Sequence, residues 1–158
     1  MPDVRAHLWM DDWGLEAARF WEQVVPDTRI VSVTSAPPGT PGVAEGAVFV
    51  VEVQVGAVPV TLLNGGPAFH LDEAFSFVLE VDTQEEIDDY WERLAADGGT
   101  HGQCGWLRDR FGVWWQIVPR GMAEVLSGDP AGVARAMAAM LAMKKFDIEG
   151  LRAAYRGE

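Results

Sequence analysis

One cysteine, Cys104, stands among 158 residues, so no intramolecular disulfide can form. That scarcity fits a reducing compartment. A lone thiol of this kind reads as a small buried hydrophobe rather than a nucleophile. Histidine is scarce as well: His7, His70 and His101 are the whole supply, which leaves little material for a metal centre. No apolar run approaches the ~20 residues needed to cross a bilayer. The opening MPDVRAHLWMDDW has no basic region followed by a long apolar core, so it does not read as a signal peptide, and a cytoplasmic location is expected. Positive charge is short too. Twelve basic against twenty-four acidic residues leave a net charge of −12, which argues against nucleic acid and anionic membranes as partners. The plain consequence of this charge is solubility, and the sharper one is attraction of cationic ligands.

What is present is apolar: 49% of residues are hydrophobic, enough for a sizeable core in one domain of ordinary size, 1–158. Val4 to Met10 reads as a strand. Asp12 is placed to cap the helix Leu15 to Val25, whose Ala17, Phe20, Trp21 and Val24 share a face. Pro26 ends that helix. Thr28 to Thr34 is a β-branched strand, followed by the breaker-rich loop Ala36 to Gly42. Gly46 to Val55 and Ala57 to Leu63 form a hairpin, and Asn64-Gly-Gly-Pro67 closes the first half with a tight bend. Ala74 to Val81 is a strand. Thr83-Gln-Glu-Glu86 is a capping box for a helix burying Ile87, Tyr90, Trp91 and Leu94.

Cys104 to Arg108 and Val113 to Val118 read as two strands joined by a tight turn, Asp109 to Gly112. Asp109 suits a turn in which it bonds its own backbone. Alternation puts Trp114, Gln116 and Val118 on one face, with Val113, Trp115 and Ile117 on the other. Both faces are largely apolar, which predicts a hairpin covered on both sides. Gln116 is the one amide there, and it needs a partner or costs roughly 1–3 kcal/mol. After Pro119 the pattern turns helical. Asp129 caps one helix, with a stripe of Val133, Met137, Met140 and Leu141. Asp147 caps a last one carrying Ile148, Leu151 and Ala154.

The chain repeats itself at an offset of seventy positions. Asp12 matches Asp82, Glu16 matches Glu86, Phe20-Trp21-Glu22 matches Tyr90-Trp91-Glu92, and Val24 matches Leu94. Each half runs strand, helix, three strands. The predicted fold class is therefore α+β: tandem βαβββ modules at 4–66 and 72–119 forming half-barrel sheets, with a helical extension at 120–158.

Five stretches carry a family resemblance: Leu63 to Pro67, Glu85 to Trp91, Cys104 to Gly112, Trp115 to Pro119, and Met143-Lys-Lys-Phe-Asp147. With them the chain resembles the PhnB-like, demethylubiquinone methyltransferase-like branch of the vicinal oxygen chelate superfamily, which includes glyoxalase I, bleomycin-resistance proteins and extradiol dioxygenases. The resemblance implies paired modules around a cavity, a homodimer, and metal ligands on the first and last strand of each module. At those places this chain offers His7, or Ala6 by counting back from the helix; a residue near Thr61 to Leu63 with no carboxylate; Ser76; and Gln116 where the family has glutamate. A divalent site wants three or four His, Asp, Glu or Cys ligands, so no bound metal and no other cofactor is expected. The methyltransferase label finds no open α/β sheet with a Gly-rich loop after its first strand.

The expected function is binding of a small organic ligand in a cavity lined by His7, Trp9, Ser76, Trp114 and Gln116. Two indoles and a few orienting polar groups suit a planar or cationic ligand. A metal-dependent lyase, isomerase or dioxygenase of the same superfamily, or a purely structural dimer, are the competing readings. Gln116 bonded simply to Ser76 is the plainer alternative for that residue. Met137, Met140 and Met143 offer apolar surface for a dimer contact.

Overall fold

The computed structural model describes residues 3–158; Met1 and Pro2, with which the signal-peptide reading begins, lie outside the described residues. The chain divides into two compact units, Met1–Leu71 and Asp72–Glu158, and the second takes in the C-terminal helices.

In the first unit, β1 (Ala6–Trp9) leads to α1 (Gly14–Val24), then β2 (Arg29–Ser35), β3 (Val48–Val55) and β4 (Val58–Leu63). The sheet order is β1-β4-β3-β2, with β1 parallel to β4 and the other pairs antiparallel. Alternation sends Leu8 and Met10 inward with Val51, Val53, Val55, Val60 and Leu62. The apolar stripe of α1, Ala17, Phe20, Trp21 and Val24, is buried as its spacing predicts. Burying an indole and aliphatic side chains of this size stabilises by roughly 2 kcal/mol each, at ~25 cal/mol per Å² of apolar surface.

The expected Asp12 cap is absent. Trp13 occupies the N-cap of α1 and makes no side-chain cap bond. The Gly14 amide is instead taken by Asn64 Oδ1 at 2.9 Å. Asn64 is 4% exposed, and its Nδ2 donates to the carbonyls of Asp12 and Val48 at 3.1 and 3.2 Å. One buried amide thus ties the helix start, the head of β3 and the end of β4. A Cβ on Gly14 would stand 2.7 Å from Asn64 Oδ1, so glycine there is a packing requirement.

The second unit repeats the plan: β5 (Phe77–Val81), α2 (Gln84–Leu94), β6 (Thr100–His101), β7 (Trp106–Arg108) and β8 (Trp114–Pro119), in the order β5-β8-β7-β6. The capping box is formed. Glu86 donates its amide to Thr83 Oγ1 at 3.1 Å, and its carboxylate accepts from the Thr83 amide at 3.0 Å. Ile87, Trp91 and Leu94 are buried, as are Phe77, Val81, Leu107, Trp115 and Ile117 of the sheet, while Tyr90 is only half-buried.

Three expectations are corrected here. Cys104 and Gly105 do not start a strand. Cys104 has φ 54° and Gly105 φ 78°, and their amides donate to the carbonyls of Met143 and Lys144. Residues 74–76 precede β5 rather than belong to it. The third concerns the C-terminal helices α3 (Met122–Val125), α4 (Pro130–Ala142) and α5 (Ile148–Arg156). Asp129 and Asp147 cap α4 and α5 as predicted, but the buried residues of α4 are Gly132 and Ala136. Leu141 of the expected stripe is 62% exposed. The small residues win because the Tyr155 ring lies close enough to Gly132 that a Cβ there would meet it at 2.9 Å.

Candidate functional site

Strand pairing fixes which side chains share a face, and in each unit α-helix covers one face only. On the uncovered face of the first unit one row runs His7, Thr61, Glu52, Ser32 across four strands. His7 is exposed and Thr61 is buried. Glu52, a carboxylate that strand-end counting missed, lies one strand in from Thr61. It is already engaged, accepting from Arg5 Nη1 at 2.6 Å and from Ser32 Oγ at 3.1 Å. Trp9 sits one row on, half-buried. Its Nε1 donates to the Gly66 carbonyl at 2.7 Å and its ring meets Phe69 edge-on. A Cβ on Gly65 would overlap that ring. Trp9 therefore has a packing task in addition to the candidate role given it above.

In the second unit, Gln116 pairs with Val78 on one side and Trp106 on the other, and Trp114 pairs with Arg108. Paired residues point to the same face, so Val78, Gln116, Trp106, Trp114 and Arg108 share the face opposite α2. Within this unit that face is not closed over: Val78 is 55% exposed, and Trp106, Arg108, Trp114 and Gln116 are half-buried. Gln116 Nε2 donates to Ser76 Oγ at 2.9 Å, so the amide finds the protein partner that the plainer reading foresaw. Trp106 and Trp114 meet edge to face with centroids 6.3 Å apart.

On the opposite side of this hairpin the turn is tied down by a buried carboxylate. Asp109 is 1% exposed. Its carboxylate accepts from the amides of Phe111 and Val113 at 2.9 and 3.0 Å and from Trp115 Nε1 at 3.0 Å. The turn is stitched by its own aspartate, as expected, and no oxygen of it is left for chemistry. Gly112 takes φ 87° at the corner, which costs a glycine nothing.

The structure thus brings Ser76, Trp114 and Gln116 together in one unit and places His7 on the sheet face that Trp9 shares in the other. Arg108 was missed. It lies two residues after Trp106, so strand alternation alone assigns it to the same face. Three other basic side chains of this unit are paired: Arg110 bonds Asp97, Arg120 bonds Asp82, and Lys145 bonds Asp88 at 2.7 Å. Hydrogen bonds from Lys145 and then Gln84 hold the Asp88 carboxyl below its ordinary range. His101, away from the site, stacks on Trp91 and faces its carbonyl at 3.0 Å.

Among the described residues no group of three or more His, Cys, Asp or Glu is gathered as a metal would need. A separate pocket of about 450 Å³ in the first unit is lined by Asp11, Asp12, Glu16, Val43, Asn64 and their neighbours. None of the five predicted residues lines it. No helix among the described residues is long and apolar enough to cross a membrane.

The model of a family described as 3-demethylubiquinone-9 3-methyltransferase matches residues 2–118. Among solved structures, the PhnB protein from Bacillus cereus is 25% identical with a TM-score of 0.65, the match covering 75% of this chain and 99% of that one. Protein PA1353 from Pseudomonas aeruginosa is 19% identical with a TM-score of 0.60, over 75% and 98% of the two chains. The fosfomycin resistance protein FosX from Listeria monocytogenes, complexed with Mn(II) and sulfate, is 14% identical with a TM-score of 0.56, over 80% and 98%. A search of curated proteins finds no match.

Proposed function

The chain belongs to the PhnB-like, 3-demethylubiquinone-9 3-methyltransferase family of the vicinal oxygen chelate superfamily, and from that premise we propose that it binds a small planar organic ligand without a tightly held metal. The observation that carries this reading is the uncovered sheet face of the second unit. Two indoles, Trp106 and Trp114, stand beside a fixed amide, Gln116, and a half-exposed valine. An apolar surface with a few orienting polar groups is what ligand sites are made of. The Ser76 hydroxyl holds the amide in one orientation, while the amide oxygen stays on the face as an acceptor.

The donor set argues against the metal chemistry of related folds. His7 offers one imidazole, but Thr61, Ser76 and Gln116 offer only two hydroxyls and an amide where hard or borderline divalent ions want further carboxylate or imidazole. Glu52 could supply charge, but Arg5 neutralises it. No step is therefore routed through a metal. Methyl transfer by a bound methyl-donor cofactor is likewise unsupported: this is a pair of four-stranded mixed sheets, with no Gly-rich loop leading from a first strand into a helix. The residues serve binding alone or metal-independent catalysis equally, with His7 beside Thr61 as the imidazole on a sheet face away from the helix. We place the protein in the cytoplasm, as a homodimer using the exposed apolar side of α4.

The test is a thermal-shift panel of planar aromatic compounds and divalent metals, since a ligand that binds the native state raises Tm. Gln116→Leu is then compared with wild type. If Gln116 orients the ligand, affinity falls about tenfold while stability moves by about 1 kcal/mol or less, the worth of one hydrogen bond. Unchanged affinity removes Gln116 from the site. One equivalent of metal that resists chelation after purification overturns the metal-free reading.

A further inference from the structure

The uncovered face of the second unit carries a half-buried cation with one donor that the protein leaves unpartnered. Arg108 Nε is buried and has no hydrogen-bond partner among the described residues. Buried guanidinium donors are costly unless paired, and three carboxylates of this unit that could be considered are already engaged. Asp109 is committed to Phe111, Val113 and Trp115 on the other face. Asp97 is held by Arg110. Glu80, on the same face but on β5, stands 4.0 Å from Arg120.

Arg108 pairs across the ladder with Trp114, and Gln116 is the diagonal neighbour. Diagonal side chains across a strand pair start roughly 7–8 Å apart, a span that one oxyanion on a flat ring can bridge. We infer that the ligand of this face is a planar organic anion whose carboxylate or phosphate pairs with the Arg108 guanidinium while its ring lies against Trp106 and Trp114. This rests on the proposal that the face is a ligand site, and it reverses the expectation, drawn from the net charge, of a cationic ligand. A guanidinium presents its donors as a fork that matches an oxyanion bidentately. An anion must approach an acidic protein, so its recognition depends on this local charge and not on the long-range field.

Three matched probes decide it: benzoate, neutral benzamide and cationic benzylammonium, read by thermal shift and tryptophan fluorescence. Benzoate is expected to bind at least tenfold more tightly than either of the others. Arg108→Met, which keeps the stem and removes the charge, should abolish that preference and leave benzamide unchanged, and Arg108→Lys should restore part of it. Benzamide or benzylammonium binding that is lost in Trp114→Ala, with no preference for benzoate, sinks the anion and keeps the site. If none of the three binds, both fall. Should Arg108→Met not fold, the ranking of the probes on the wild-type protein decides alone.

Discussion

Helices α1 and α2 hold the same place in two copies of one module, yet their first turns are closed by different means. At α2 the closure is local: Thr83 and Glu86 satisfy each other's amides three residues apart. At α1 it comes from fifty residues away, through Asn64. A helix start needs its free amides satisfied, and physics does not care from where. A local cap stabilises a helix that could begin to form alone. A distant cap makes the helix start conditional on the β3–β4 hairpin, so the first module should lose more when its cap is removed.

Asn64→Ala tests this most severely. It strands the buried Gly14 amide and the carbonyls of Asp12 and Val48, so a loss of about 3–4 kcal/mol is expected in a denaturant melt. Thr83→Ala, on the exposed start of α2, should cost about 1 kcal/mol. Equal costs would show that the two closures do the same work and would undo the comparison.

The next effect concerns what the second unit has and the first lacks, its C-terminal strap. Gly105 sits at φ 78°, and a Cβ there would meet the Ile117 carbonyl and the Phe146 ring, both at 2.6 Å. Gln84 grips the same segment, donating to the Phe146 carbonyl at 2.9 Å and accepting from the Ile148 amide at 3.0 Å. Gly105→Ala should therefore cost about 2–3 kcal/mol through left-handed strain and overlap. It should also raise hydrogen exchange across α4 and α5. Exchange that rises equally in both units would mean the strap is not a separate feature. A smaller effect returns to the first unit. Trp9→Phe loses the bond to the Gly66 carbonyl and should cost about 1 kcal/mol, with no change if the indole N–H serves only a ligand.

What the sequence discloses follows from this contrast. The capping box, the turn aspartate Asp109 and the caps Asp129 and Asp147 each act within a few residues of themselves, and each was legible. The modules announced themselves by the Trp21 and Trp91 repeat. Asn64 was not legible as a cap, because its partner Gly14 is reached only once the sheet has formed. The α4 stripe misled for a related reason. Methionine and leucine at helical spacing mark an apolar face, but the small residues Gly132 and Ala136 are buried instead, Gly132 under the Tyr155 ring. At the candidate site alternation puts Trp114 and Gln116 on one face, and Ser76 bonds Gln116. Arg108 was within reach of the same alternation and was masked by its place next to the turn.

The smallest effect separates the strap from the module it is tied to. Lys145 bonds the Asp88 carboxylate at 2.7 Å, joining the strap to α2 on the surface. Asp88 titrates below its ordinary value of 3.8, chiefly through the Lys145 hydrogen bond and then the Gln84 one. A carboxyl whose folded pKa is depressed adds stability that is complete above the unfolded value and is lost as pH falls through the folded one. The pair is half in water, so solvent screening limits it to at most a few tenths of a kcal/mol. Asp88→Asn should therefore lower stability slightly at pH 7, with the difference from wild type closing below about pH 4. Added salt at pH 7 should close part of the same gap. A gap that persists unchanged at pH 2.5 would mean that Asp88 holds the strap by packing and not by charge.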